Sequence, residues 1–183
     1  RVTTRVHASP KLGWIPFQPG ARDGAPPMPV MKDGTTTGAT IHLSIPGVFV
    51  RPVRAESGVF HRFSMPGQAS LTDIGRPELP IVGQAIEVPF DVDFSVEIVK
   101  STPVALDYYR VFPAQPELVD AGSQGPPVAW PRATFALDKR SYRTNRPYPA
   151  SLATIATADI GIIRGHRVLL LKVNPIQYNP VTY

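Results

Sequence analysis

Proline is the residue that most constrains what this chain can fold into. The 183 residues include 22 prolines, which are spread along the chain rather than collected in one tract. A proline inside a helix removes a backbone hydrogen bond and clashes with the preceding turn, whereas sheet edges and loops tolerate it. No proline-free segment of twelve or more residues shows helical periodicity. The sequence therefore predicts a β-rich chain with short helical turns at most.

Length and composition indicate one folded domain. A chain of 183 residues with 43% hydrophobic and 18% charged residues can bury a core and is not a disordered polyelectrolyte. We therefore expect a single domain over residues 1–183. Because the chain begins at Arg1 and not at a methionine, we also expect a processed or trimmed piece.

Composition also excludes several classes of function. The chain has no cysteine, so disulfides, thiolate metal sites and cysteine nucleophiles are excluded from this segment. Its net charge of +5 is spread diffusely, which argues against a nucleic-acid partner. The longest apolar runs fall far short of the roughly 18 residues that cross a bilayer, so we expect no membrane span.

Alternation of apolar and polar residues marks the predicted strands. Residues 39–45 alternate with the period of a half-buried strand, and residues 48–53 and 59–63 form two further short apolar runs. The cleanest alternation covers residues 90–98. It predicts a strand with one face in water and five side chains in the core, namely Phe90, Val92, Phe94, Val96 and Ile98.

The C-terminal third of the chain predicts a hairpin. Residues 150–163 are small and β-branched, Arg164 and Gly165 suit a turn, and residues 166–173 include four consecutive apolar side chains. Such a run is typical of a strand buried on both faces. Several short strands punctuated by turns predict an all-β fold, an antiparallel β-sandwich with a jelly-roll-like arrangement.

Two segments lack strand patterns. Residues 1–39 are rich in proline, glycine and threonine, and we expect an irregular N-terminal segment with one strand around residues 2–7. Residues 113–131 hold five prolines and little apolar order, which predicts a protruding loop. Long loops in compact domains usually carry a function.

The polar residues do not assemble into a catalytic or metal centre. The four histidines have no partner at metal-ligand spacing. Asp91 and Asp93 would share one face of a strand and resemble a carboxylate pair, but a solvated strand face explains them as well. We therefore expect no metal, no cofactor and no catalytic residue. The histidines are His7, His42, His61 and His166.

Four tyrosines leave a binding function open. Tyr108, Tyr109, Tyr142 and Tyr148 could line a sugar-binding platform, although tyrosines on strands are more often packing residues with a wet hydroxyl. From the residues alone, the sequence predicts a β-rich binding or regulatory module.

Three motifs occur in a fixed order along the chain. The first pairs a G-x-P-x-L-P element with an I-x-V-P element, the second is P-x-Q-P, and the third combines R-G with P-I-Q-Y-N-P. They lie at residues 75–80 with 86–89, residues 113–116, and residues 164–165 with 175–180. As an ordered set they resemble the motifs of gingipain-type propeptides. The physical roles of their glycines and prolines are structural, since these residues suit turns and stiff connectors. We therefore assign the motifs to the fold.

The resemblance implies a function that the residues alone do not. It implies a β-sandwich propeptide that precedes a caspase-like cysteine protease domain, keeps that protease latent and assists its folding during export. The catalytic residues would then lie outside this chain, and the partner would be the cognate protease domain of a secreted or cell-surface bacterial precursor. The alternative is an extracellular β-sandwich adhesion or carbohydrate-binding module. An enzyme in its own right is disfavoured because no nucleophile, base and orienting group can be assembled.

The resemblance also implies an inhibitory segment within residues 113–131. In the family, a residue of this loop resembles the side chain that the protease recognises, and alignment from Pro113 places Asp120 there. Arginine and lysine are the familiar choices, so Asp120 departs from the pattern. Either the partner prefers acidic residues, or Leu118 or Arg132 takes the role, or Asp120 caps a turn before Ala121 and Gly122.

Overall fold

The computed structural model describes residues 10–35, 38–90, 93–116, 134–155 and 160–182. Within these ranges the chain forms antiparallel sheets, and the described residues include no α-helix, which confirms the predicted all-β class. One short 3-10 turn covers Ser141–Arg143. The strands are β1 (Gly13–Pro16), β2 (Met28–Gly34), β3 (Ala39–Ser44), β4 (Gly47–Ala55), β5 (Gly58–Ser64), β6 (Ala69–Ser70), β7 (Pro80–Glu87), β8 (Ala153–Thr154), β9 (Ile160–Ile163) and β10 (His166–Val173).

A three-stranded sheet with the order β1-β4-β5 contains the predicted strands at residues 48–53 and 59–63. Ile15 lies opposite Val48, and Val50 lies opposite Phe63, so these four apolar side chains share one face. All four are buried. The apolar runs in the sequence therefore predicted these two strands, and the structure shows which face they bury.

A second sheet has the order β6-β7-β10-β8, and β9 also pairs with β10. The predicted hairpin of β9 and β10 is confirmed, with Arg164 and Gly165 at positive φ in the turn. In β10, Leu169 and Leu171 are buried on one face, whereas Val168 and Leu170 on the other face are half-buried. The strand is thus central in its sheet and covered more tightly on one side.

Part of the segment over residues 1–39 that was predicted to be irregular forms strands, whereas residues 17–27 lie in none. Strand β1 lies at the edge of the first sheet, and β2 pairs with β3 in a separate two-stranded ribbon. Both strands contain a proline, which edge strands tolerate and which hid them in the sequence pattern. The predicted strand at residues 2–7 lies outside the described residues.

The prediction of a strand over residues 90–98 is also wrong. The described residues of this stretch form no strand, and Phe90, Val96 and Ile98 are exposed, while Phe94 is half-buried and Val92 lies outside the described residues. The preceding strand β7 ends at Glu87, and Pro89 has no N–H to continue the pairing. The Arg167 side chain donates to the carbonyl oxygens of Pro89 and Phe90 and so occupies the acceptors that a neighbouring strand would need.

One core cluster packs the first sheet against residues that flank the second. It combines the buried face of β1, β4 and β5 with Leu79 just before β7 and Tyr178 after β10. Met65, which follows β5, and Tyr109 and Val111, which lie in no strand, also belong to it. Residues 109–114 therefore lie in the interior of the domain, and the chain leaves the core after them.

Candidate functional site: the base of the 113–131 segment

The three candidate inhibitory residues, Leu118, Asp120 and Arg132, lie outside the described residues. The structure does describe the chain up to residue 116 and again from residue 134. Pro113 and Ala114, at the start of the predicted loop, are buried and paired. The first residues of the predicted loop therefore belong to the framework. We call residues 110–116 the outgoing arm and residues 134–138 the returning arm. The base of the segment consists of both arms and of the residues in β5 and in the 75–80 motif that bond to them.

The outgoing arm of the base pairs with the G-x-P-x-L-P motif. Glu78 N donates to Phe112 O, Ala114 N donates to Arg76 O, and Gly75 N donates to Ala114 O, each at 2.8 Å. These bonds form an antiparallel bridge of three hydrogen bonds, although neither segment is a full strand. The two motifs that the sequence presents as separate elements are thus one structural unit.

The same arm is bonded on its other side to β5. His61 N donates to Arg110 O at 2.7 Å, and Phe112 N donates to His61 O at 2.9 Å, in a parallel bridge centred on Val111. Residues 110–114 are therefore held between β5 and residues 75–78. With hydrogen bonds on both sides, this arm cannot shift without breaking several of them at once.

A single glutamine side chain closes the base across the undescribed residues. Gln115 Nε2 donates to Ala136 O at 2.9 Å, and Ala136 N donates to Gln115 Oε1 at 2.9 Å. Nε2 also donates to Pro113 O at 3.0 Å. The amide of Gln115 thus reproduces the pairing that an opposite strand residue would give, and it joins the outgoing arm to the returning arm.

The returning arm ends in a turn organised by Asp138. The Asp138 backbone N donates to Gly75 O at 2.9 Å, and its carboxylate accepts from Arg140 N at 3.0 Å and from Ser141 Oγ. The hydrogen bond from Ser141 is the main cause that holds the pKa of Asp138 below its usual value, with the Arg76 guanidinium a smaller one. Gly75 is consequently bonded to both arms of the base.

An aromatic layer packs beneath both arms. Phe60 is fully buried and contacts Phe112 on the outgoing arm, Phe135 on the returning arm and Tyr142 in the turn, with ring centroids 5.6 to 6.3 Å apart. The guanidinium of Arg110 lies 4.0 Å from the centroid of the Phe60 ring. Burial of these rings is expected to stabilise the base through apolar area and edge contacts.

Tyrosine hydroxyls also tie the base to the rest of the domain. Tyr142 OH donates to Val111 O at 2.7 Å, and Tyr148 OH donates to Asp73 Oδ2 at 2.9 Å. Burial raises the pKa of both tyrosines, and the neighbouring Asp73 raises that of Tyr148 further. Tyr109 OH donates to Lys11 O at 2.8 Å. Three of the four tyrosines considered for a sugar platform therefore use their hydroxyls inside the domain.

The base contains one buried histidine. His61 Nδ1 accepts a hydrogen bond from Arg110 N at 3.2 Å, which requires an unprotonated nitrogen. Burial is the main cause that lowers the pKa of His61 below its usual 6.5. The neutral imidazole thus belongs to the structure that holds the outgoing arm.

The remaining polar candidates that the structure describes do not form a chemical centre. His42 is exposed on β3, Asp93 is exposed, and His166 Nδ1 lies 2.6 Å from Glu87 Oε1 at the surface, while Asp91 and His7 lie outside the described residues. Within the described ranges, no three acidic or histidine side chains are grouped to hold a metal ion. Sequence reasoning placed Gln115 in a motif without predicting its bonds to Ala136, and it missed Asp138, whose backbone N–H bonds to the distant Gly75.

Comparison with known proteins identifies relatives over most of the chain. The family model described as Propeptide_C25 matches residues 18–183. Lys-gingipain HG66 of Porphyromonas gingivalis is 28% identical over 134 residues, which cover 70% of this chain and 7% of that protein. Gingipain R2 of the same species (strain ATCC 33277) is 22% identical over 182 residues, or 100% of this chain and 24% of that protein. The chain thus spans a quarter or less of these relatives.

Two solved structures share the fold. The complex of the Porphyromonas gingivalis RgpB pro- and mature domains matches with a TM-score of 0.71 and 21% identity, over 84% of this chain and 75% of that chain. A structure that addresses the zymogenic latency of gingipain K from the same species matches with a TM-score of 0.58 and 20% identity, over 88% of this chain and 86% of that chain. At this level of identity the likeness establishes the fold.

Proposed function

The chain belongs to the Propeptide_C25 family, and from that membership we propose that it keeps a downstream gingipain-like cysteine protease latent and assists its folding during export. A family model that matches residues 18–183 makes the chain a propeptide segment and not a catalytic domain. Its partner is the mature protease domain that follows it in a precursor. The two matched structures concern a pro- and mature-domain complex and zymogenic latency, which supports the same role here.

The observation that carries this proposal is the closed base of the 113–131 segment. Both arms are fixed by backbone bonds to Gly75, by the Gln115 amide and by the rings around Phe60. A segment presented on such a framework loses less conformational entropy when it docks in a cleft than a free tail would. The proline content of residues 113–131 reduces that cost further, because proline restricts the unbound chain.

Within this segment, Leu118, Asp120 and Arg132 are the candidates for the side chain that occupies the specificity pocket. Asp120 in this role implies a partner that accepts acidic residues, whereas Arg132 implies a partner that accepts basic ones. The three candidates therefore make different predictions about the substrates of the mature protease.

The experiment is a measurement of the inhibition constant of the 183-residue chain against its mature protease domain. The parent should inhibit, and truncation of the true anchor should weaken inhibition by about tenfold or more, as hot-spot truncations do. Leu118→Ala, Asp120→Ala and Arg132→Ala are compared in parallel, and His42→Ala is the matched control because His42 is exposed on a different element. Failure of the parent to inhibit contradicts the proposed function. Equal inhibition by all variants contradicts only the choice of anchor.

Assistance in folding is tested separately. The mature domain is refolded from denaturant with and without an equimolar amount of the chain, and the yield of active protease is measured after the complex is dissociated. A higher yield with the chain supports the folding role, and an unchanged yield contradicts it.

We propose a secreted or cell-surface location for the precursor, as the resemblance to gingipains implies. No helix among the described residues is long and apolar enough to cross a membrane. Fractionation of the producing cells, followed by detection of the propeptide outside the cytoplasm, tests this location, and recovery in the cytoplasm alone contradicts it.

A further inference from the structure

Residues 93–105 show a strand-like sequence without a strand. Residues 93–98 carry the alternation of apolar and polar side chains of the predicted strand, yet no residue of the stretch lies in a strand or a helix. Several large apolar side chains are exposed as a result. Their exposed fractions are 38% for Val96, 46% for Ile98, 86% for Val99 and 54% for Val104.

The backbone of this stretch is unpaired within the described structure. Among the described residues, no backbone hydrogen bond joins residues 95–105 to another part of the chain, and the side chains of Glu97 and Lys100 form no ion pair there. Unpaired backbone beside apolar side chains is a template for another strand, and proteins normally cover or charge such edges.

Both ends of the stretch are nevertheless fixed. The Arg167 guanidinium lies 4.9 Å from the centroid of the Phe94 ring, and Leu106 packs against the core cluster. The ends are thus anchored while the middle presents its backbone and its apolar side chains to solvent. A stretch that is fixed at both ends and unpaired in the middle is better suited to bind a partner than a free linker is.

We propose that residues 93–105 add as a strand to a sheet edge of the mature protease domain, with Val96 and Ile98 on the buried side. This inference rests on the proposed function. The relatives that match this chain extend far beyond it, since the chain covers 24% of gingipain R2, and a covalently linked domain is present at a high effective concentration. Strand addition would supply the missing hydrogen bonds, and the alternation would place Ser95 and Glu97 on the opposite side.

The first test is amide hydrogen exchange in the full precursor and in the isolated 183-residue chain. Amides of residues 95–102 should exchange at least tenfold more slowly in the precursor, because strand pairing protects them. Equal exchange in both proteins overturns the proposal. Protection that is already present in the isolated chain and grows with its concentration also overturns it, because the occupant would then be a second copy.

The second test compares two exposed isoleucines. Ile98→Asp should weaken binding of the chain to the mature domain by tenfold or more, whereas Ile162→Asp on β9, where Ile162 is 69% exposed, should leave binding within about twofold. Ile98→Pro, which removes the N–H but adds no charge, should weaken binding as well. Thermal unfolding of each variant shows whether the fold is retained.

The outcomes separate this inference from the function on which it rests. If the parent chain inhibits the protease and Ile98→Asp inhibits equally well, the strand proposal fails and the propeptide function stands. If the parent chain neither binds nor inhibits the mature domain, the proposed function fails, and the strand proposal fails with it.

Discussion

At the scale of single residues, Gly75 is the position where the base has least freedom. Its φ of +81° lies in the left-handed region, and a Cβ placed there would lie 2.9 Å from Asp138 N. That nitrogen is the same one that donates to Gly75 O. A side chain at this position would therefore strain the backbone and push apart the two arms at once.

Gly75→Ala should lower the free energy of unfolding by about 2 to 4 kcal/mol, which is the combined cost of the left-handed conformation and the contact with Asp138. Gly67→Ala is the matched control, because Gly67 has a φ of +69° but no atom within 4 Å of an added Cβ. Its cost should be only about 1 kcal/mol. Chemical denaturation of both variants measures the difference, and equal losses would contradict the role of the contact with Asp138.

His61 predicts how stability depends on pH. Burial lowers its pKa in the folded protein below the value of 6.5 expected when unfolded. The unfolded state therefore binds the proton more readily, so this contribution is fully present above about pH 6.5 and is lost as the pH falls through the folded pKa. The groups around His61 are the Tyr109 ring, the Arg110 backbone and Pro52 opposite it in β4, none of which titrates in that range.

His61→Asn should flatten the part of the stability profile that declines as the pH falls below about 6.5, because the asparagine oxygen can accept from Arg110 N without titrating. His42→Asn serves as the control, since His42 is exposed on β3. Unfolding free energies are measured across this pH range for the parent and both variants. An unchanged slope in His61→Asn would show that another group governs the decline.

At the scale of elements, the sequence predicted strands well where local pattern and pairing coincide. Strands β4, β5, β9 and β10 alternate or run apolar, and each has a neighbour close in sequence, so a local pattern was sufficient. Residues 90–98 carry the clearest alternation, yet the residues of this stretch that the structure describes form no strand, because alternation specifies faces but cannot supply a partner backbone. The edge strands β1 and β2 were missed because each contains a proline, which disguises the strand pattern in the sequence but does not prevent pairing at an edge.

Truncation of leucine side chains on the two faces of strand β10 should lower the free energy of unfolding by different amounts. Leu169→Ala should lower the free energy of unfolding by about 2 to 5 kcal/mol, because Leu169 is 3% exposed and its removal leaves a cavity. Leu170→Ala on the half-buried face should cost less than Leu169→Ala, although the strand, backbone pairing and residue type are the same. Urea denaturation measures both losses. A larger loss for Leu170→Ala would mean that the tighter face of the strand has been assigned incorrectly.

At the scale of the whole molecule, the base of the 113–131 segment shows what the sequence could not provide. The motifs around Gly75 and Gln115 were evident, and their glycine and prolines correctly indicated structural roles. That they bond to one another across about forty residues is a tertiary fact, as is the aromatic layer that Phe60 places beneath both arms. The periodicity of apolar residues along the sequence does not reveal such contacts.

The most direct test of this account separates the base from the segment that it holds. Residues 117–133 are replaced by a linker of about four glycine and serine residues, which the adjacency of Gln115 and Ala136 permits. The inhibition constant of this variant against the mature protease domain is then measured beside that of the parent chain. The account predicts that the variant folds with the parent's circular dichroism spectrum and a similar thermal midpoint but inhibits at least a hundredfold more weakly. Inhibition equal to that of the parent by the folded variant would contradict it.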